Sequence, residues 1–361
     1  MARRDRVARG WRLEIPAHDA VRVPAIGQTE SITELDALDD YPKQIVELTR
    51  ARLDAGDDAL TVSGAIGDTN DVLTRRLLSL AEAHLGPPPR PYVWLALGSH
   101  GRREQVLSSD QDSAIAYAAP GESAESDAAI TYFTELAELI VSALARAGMP
   151  LCDGGYMATN WHRPLDEYAR VFRDWVERPE PEALLKAEVF LDVRACHGDL
   201  SPEPLERILL TGGGRGPFRA QMARAALTFK PPIGWFGRLR THESTLDVKR
   251  GGTAAIVLLA RLYALIAGAI EHSTLPRLRA AAAAGTLNAS NATDLVEAYG
   301  LLTDLRLRHQ LEQADERAVT DNLVPIERIP KDVRSSVRSA LRVIREIQEV
   351  TALRFATHAV T

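Results

Sequence analysis

Between Trp94 and Asp112 the chain sets an apolar run, a Gly98-Ser99 turn, Arg102 and Arg103, and two carboxylates, Asp110 and Asp112, one residue apart. A strand that ends in Gly-Ser and opens a helix points free backbone N–H groups outward. That is an anion site, and the helix dipole reinforces it. Glycine permits close approach of a phosphate, the Ser99 hydroxyl can donate to it, and arginine in the next turn can fork onto phosphate oxygens. At a strand start, residues i and i+2 point the same way. Asp110 and Asp112 then face one spot beside the turn. Paired carboxylates repel unless a cation lies between them, and magnesium takes one or two carboxylates plus phosphate oxygens. Taken alone, Gly98-Ser99 reads as an ordinary turn and Ser108 to Asp112 as a solvated one. Together, at a spacing that one short helix can span, they point to a nucleoside triphosphate with Mg2+ or Mn2+.

The elements that must hold this site follow from periodicity. Tyr92 to Leu97 is a short apolar run between breakers, and Asp112 to Ala118 alternates; both read as strands. Leu151 to Met157 is a third strand candidate. Helical spacing begins after Pro42, with Ile45, Leu48 and Leu53 on one face. A second helix is expected after the N-cap pair Asn70-Asp71, ending at Gly86 before Pro87. Ala128 to Ala147 is amphipathic. From Trp161 on, nearly everything has helical period: Pro164–Glu177, Pro181–His197, Leu205–Leu210, Gly216–Thr228, Thr253–Ile270, Leu275–Ala284, Ala292–Gln313 and Lys331–Ala356. The fold class is therefore α+β, a small mixed sheet with flanking helices followed by an all-α part. The expected domains are an irregular arm over 1–40, a sheet domain over 41–160 and a helical domain over 161–361.

Length and composition agree with two or three ordinary globular domains: 361 residues, 45% hydrophobic, 25% charged. The net charge of −6 and the lack of a basic stripe argue against nucleic acid as a partner. The two cysteines, Cys152 and Cys196, form no CxxC pair and suit a reduced cytoplasmic chain. The N-terminus has no apolar signal segment. The long apolar run Thr253 to Ile270 carries Arg261 near its middle, so a buried helix is expected there and no membrane span.

Leu97-Gly-Ser-x-Gly-Arg-Arg-Glu-Gln-x-Leu-x-x-Asp-Gln-Asp112 resembles the nucleotidyltransferase superfamily signature. It is most similar to the nucleotidyltransferases related to PII-protein uridylyltransferase, with their helical substrate-binding domain. Leu151 to Asn160, Phe190 to Arg194 with Gly198-Asp199, Asp247-Val-Lys249, Arg306 with Gln310, and Asp321-Asn322 continue the likeness over residues 40–355. Such proteins are often fused to CBS or cyclic-nucleotide-binding domains; none is expected before position 40, and no His-Asp phosphohydrolase pair follows.

The resemblance implies transfer of UMP or AMP from a nucleoside triphosphate to a hydroxyl acceptor on a regulatory protein. Asp110 and Asp112 would hold the metal, while Gly98, Ser99, Arg102, Ser109 and Lys249 would contact nucleotide. It also implies a third carboxylate. Asp153 is the first candidate, with a surface turn as the competing reading; Asp192 is the second, with a structural ion pair to Arg194 or to another helix preferred for it. Lys249 either closes over nucleotide or pairs with Asp247 at a helix start. Glu104 is expected to steady the turn through Arg102 or Arg103, and His100 to be a plain turn residue. The competing function is a catalytically silent nucleotide-binding regulator.

Overall fold

The computed structural model describes residues 38–119, 121, 123–180, 188–234 and 238–355. The arm expected over 1–40 lies almost wholly outside the described residues. So do positions 181–187 of the expected helix Pro181–His197.

A four-stranded mixed sheet forms the centre, in the order β3-β2-β1-β4. Its strands are β1 (Tyr92–Ala96), β2 (Ser113–Tyr117), β3 (His162–Pro164) and β4 (Arg194–Gly198). β1 pairs antiparallel with β2, setting Trp94 opposite Ile115, and antiparallel with β4; β2 and β3 run parallel. Every residue of β1 and β2 is buried. The period-2 alternation divides them between two cores. Tyr92, Trp94, Ala96, Ile115 and Tyr117 belong to one apolar cluster, and Val93, Leu95, Ala114 and Ala116 to the other. A sheet covered on both faces explains why the Tyr92–Leu97 run is continuously apolar.

Three helices build the first core with the sheet: α1 (Tyr41–Asp54), α2 (Ala59–Leu85) and α4 (Ser123–Arg146). Among the described residues, Glu125–Arg146 of α4 is long and apolar enough to cross a membrane by length and composition. Its Phe133, Leu136, Ile140 and Leu144 lie in this core. The short α3 (Gly98–Arg102) connects β1 to the loop before β2.

The second core joins the other sheet face to α5 (Leu165–Glu177), α6 (Glu203–Gly213), α7 (Gly216–Ala226), α8 (Ala254–Ile266), α9 (Thr274–Ala283), α10 (Ala289–Asp315) and α11 (Lys331–Arg354). A two-stranded ribbon, β5 (Thr245–Asp247) with β6 (Leu323–Pro325), and a π-turn over Lys249–Thr253 lead into α8. α10 spans both cores, giving Leu295, Tyr299 and Leu302 to one and Leu307 and Leu311 to the other.

Three expected elements are corrected. α2 is one helix that starts at Ala59, where Asp58 accepts from the Leu60 and Thr61 N–H groups at 3.0 Å each. Asn70 and Asp71 are mid-helix and buried, so their polarity serves interior partners instead of a cap. The residues after Leu151 form turns, and the third strand is His162–Pro164. The expected Pro181–His197 helix ends in strand β4, because Arg194–Gly198 completes the sheet edge beside β1. The remaining helices fall close to their expected spans.

Candidate functional site

The site lies where β1 ends and β2 begins. The Leu97 N–H donates to the Asp112 carbonyl at 3.0 Å, which ties the two strand ends together. Gly98 turns the chain at φ +50°, a conformation that disfavours a side chain. A Cβ there would also stand 2.3 Å from Asp112 Oδ2, so the carboxylate rests directly on the glycine backbone. Gly101 is needed for a second reason: its Cβ would meet the Asp192 carbonyl at 2.0 Å. The first intrahelical bond of α3 runs from the Gly101 N–H to the Leu97 carbonyl at 2.8 Å. The N–H groups of Gly98, Ser99 and His100 precede it, as helix geometry requires.

Gln111 sets the carboxylate pair. Its N–H donates to the Pro150 carbonyl at 3.0 Å, and its side-chain amide donates inward to the Val141 and Met149 carbonyls at 3.2 Å. With Gln111 turned into the core, its two neighbours face the other way. Carboxylate oxygens of Asp110 and Asp112 and the Cys152 sulfur lie within 4.8 Å of one another. Asp110 is half-buried, and Asp112 is only 8% exposed. Asp112 Oδ1 is buried with no hydrogen-bond partner among the described residues. Burial and then the Asp110 charge push the Asp112 carboxyl up to about 7, against the opposing pull of a Cys152 hydrogen bond and the charges of Arg102 and Lys249. Burial and the Asp112 charge likewise push the Cys152 thiol up to about 12. A buried carboxylate oxygen without a donor, beside a second carboxylate, has the chemistry of a divalent-cation site.

The other expected contacts fall at several distances from this pair. Arg102 is partly buried and donates to Glu104 at 2.7 Å and to Asp192. Its charge therefore reaches the pair while its guanidinium is held elsewhere. Ser109 is buried, and its hydroxyl accepts from the Val106 N–H at 2.8 Å. Lys249 is exposed at the head of the π-turn. Asp247 accepts from the backbone N–H groups of Lys249 and Arg250 at 3.0 and 2.8 Å, capping that turn. Asp153 is exposed next to Cys152, and among the described residues its carboxylate is not one of the groups that close on the Asp110–Asp112 pair.

Beneath the turn lie two buried ion networks. Asp192, fully buried, accepts from Arg261 at 2.6 Å and Arg277 at 2.5 Å as well as from Arg102. Burial would raise its carboxyl, but the three guanidinium groups outweigh that and hold it well below the usual range. The preferred structural reading of Asp192 holds, with Arg261, Arg102 and Arg277 as its partners. Arg194 instead donates to Asp71 at 2.8 Å, and Asp71 also meets His100 at 2.9 Å and Arg103 at 3.1 Å. Burial opposes ionisation of Asp71, yet its bonds to His100 and Arg194 keep it well below the usual range. His100 is therefore an internal anchor of α3.

Glu104 grips the helical half. It accepts from the Thr274 N–H at 2.5 Å, the Thr274 hydroxyl at 2.9 Å and the Tyr299 hydroxyl at 2.9 Å. Ser273 donates to the Arg102 carbonyl at 2.7 Å. Gln310 donates to Ser108 at 2.7 Å, while Arg306 reaches Asn322 at 2.9 Å and Thr253 at 3.3 Å. Arg306 and Gln310 thus tie α10 to the loops at Ser108 and Asn322 and to the π-turn.

Sequence reasoning missed Cys152 as a member of the site. The signal was its position one residue before Asp153, in the segment whose Leu151 bridges Gln111.

A small mixed sheet, a Gly-Ser turn after its first strand and an aspartate pair entering its second define a protein of the nucleotidyltransferase class. Residues 43–182 match the family described as "Putative nucleotidyltransferase DUF294", and residues 216–355 match its companion, "Putative nucleotidyltransferase substrate binding domain". The chain belongs to this family. It is also similar to the "Bifunctional glutamine synthetase adenylyltransferase/adenylyl-removing enzyme" of Ralstonia nicotianae (strain ATCC BAA-1114 / GMI1000), at 27% identity over 310 residues. That match covers 73% of this chain and 32% of the relative, so the chain spans about a third of that enzyme's length.

Proposed function

We propose that this protein transfers a nucleoside monophosphate, UMP or AMP, from its triphosphate to a hydroxyl on a regulatory protein in the cytoplasm. The observation that carries the reading is Asp112: its buried Oδ1 has no partner among the described residues, and it rests on Gly98 beside Asp110. Asp110 and Asp112 would hold a divalent ion, Mg2+ or Mn2+. When bound, that ion would neutralise the triphosphate and orient it for in-line displacement.

The chain's own groups then have distinct tasks. The Gly98-Ser99 turn offers its N–H groups and the Ser99 hydroxyl to the β- and γ-phosphates. Arg102, fixed by Glu104 and Asp192, adds positive charge behind the turn without leaving its ion pairs. Ser109 holds the loop that delivers Asp110. Lys249 closes over nucleotide from the helical side. The acceptor oxygen attacks the α-phosphorus, pyrophosphate leaves, and the acceptor proton passes to a base, for which Asp153 at the rim is the nominated carboxylate. Residues 161–361 serve as the acceptor-binding half and 41–160 as the nucleotide half. The adenylyl transfer in the relative's printed name favours including ATP beside UTP.

The test is incubation with labelled UTP, ATP, CTP or GTP, magnesium and lysate. Label should pass to a protein, and Asp110→Asn with Asp112→Asn should abolish it. Transfer that survives the double substitution refutes the metal assignment. A second reading, a silent nucleotide-binding regulator, draws on Asp153, which is exposed and, among the described residues, is not one of the groups that close on the aspartate pair. Calorimetry separates the two: nucleotide binding without any transfer selects the regulator.

A further inference from the structure

We infer that Cys152 is a ligand, and that with Asp110 and Asp112 it forms a site for a zinc-class divalent cation that excludes the magnesium–nucleotide complex. The inference deepens the proposed reading, since it rests on the same aspartate pair. Two independent observations carry it. The sulfur and both carboxylates offer ligand atoms within 4.8 Å of one another. Asp112, 8% exposed, also has a buried oxygen, Oδ1, with no hydrogen-bond partner among the described residues.

Hard oxygen ligands alone suit magnesium, whereas a thiolate among them favours borderline and soft cations. A coordinating thiol is deprotonated outright by its metal. The S–H bond breaks, a metal–sulfur bond forms, and one proton passes to solvent. Two carboxylates and one thiolate then surround a doubly charged ion. Such an ion occupies the position that the triphosphate's own cation needs.

A second buried cluster, Asp71, His100 and Cys196, meets the same distance limit. It is not a cation site. Arg194 and Arg103 already occupy the Asp71 carboxylate, and a cation would face their charges. Cys196 is thus an internal control for Cys152, because the chain has two cysteines.

The experiment titrates the full chain with cadmium, a spectroscopic stand-in for zinc, and reads the ultraviolet thiolate-to-metal charge-transfer band. One band per chain is expected, with one proton released per ion. Cys152→Ser and Cys152→Ala should each lose it, and Cys196→Ser should keep it. Asp112→Asn, which leaves the thiol in place, should weaken cadmium binding by more than about tenfold. Circular dichroism of each variant checks that it is folded. A band that survives in folded Cys152→Ser, or that disappears in Cys196→Ser alone, overturns the inference. So does no band in a protein that transfers nucleotide with magnesium, which leaves the proposed function standing. A Cys152-dependent band in a protein without transfer supports the site and counts against the function.

Discussion

Replacing Gly98 by alanine adds one carbon at the point where the turn touches the Asp110–Asp112 pair. The backbone conformation, φ +50°, disfavours any Cβ by about 1–2 kcal/mol. The contact is the larger matter. The new carbon would stand 2.3 Å from Asp112 Oδ2, whereas ordinary contact begins at 3.4 Å, so the carboxylate must retreat by about 1.1 Å, the difference. A displacement of about 1 Å in a positioned group can cost about 100-fold in rate, or about 2.7 kcal/mol. Gly98→Ala should therefore bind Mn2+ and nucleotide weakly and transfer nucleotide about 100-fold more slowly, with only a small loss of thermal stability. Calorimetry with Mn2+ and ATP, set beside thermal unfolding of the same samples, separates the two effects. A folded Gly98→Ala protein that binds Mn2+ and nucleotide like the wild type would refute the geometric argument, because Asp112 would then not depend on the bare glycine.

Two further outcomes follow from the buried ion networks. Asp192→Asn leaves Arg102, Arg261 and Arg277 without their shared counter-charge and should destabilise the protein by about 3–5 kcal/mol, measured by denaturant unfolding. Asp71 and Asp192 have folded pKa values depressed below the unfolded ones, so the unfolded state binds more protons in acid. Their stabilisation is full above the unfolded pKa and is lost as pH falls below about 4; unfolding midpoints from pH 7 to 3 should fall steeply in the wild type and less steeply in Asp71→Asn.

Much of this arrangement is legible in the chain, and the exceptions share a cause. Helices such as Lys331–Arg354 carry their own periodicity, so local reading finds them. β4 does not: Arg194–Gly198 becomes a strand only because β1 offers it an edge, and that pairing joins residues about a hundred positions apart. Asn70-Asp71 looks like a cap because short polar residues before an apolar run usually are. Here Asp71 is polar in order to meet Arg194 and His100, neither of which is near it in sequence. The same holds at the site. Asp110 and Asp112 are adjacent enough to read directly, whereas Cys152 joins them across the Gln111–Leu151 bridge, and Asp192 gathers its arginines from three separate helices.

The strand that closes the sheet, β4, and the carboxylate that gathers the arginines, Asp192, both lie in the stretch between the two family regions. The molecule therefore has no clean cutting point there. A fragment ending at residue 182 would lose β4 from the sheet beside β1, and Arg102 would lose Asp192. Glu104 would also be stripped of Thr274 and Tyr299. A fragment starting at residue 216 would keep Arg261 and Arg277 but no anion to join them. The two regions can be told apart by likeness, yet they are physically one article of manufacture, and neither is expected to survive as a minimal working piece.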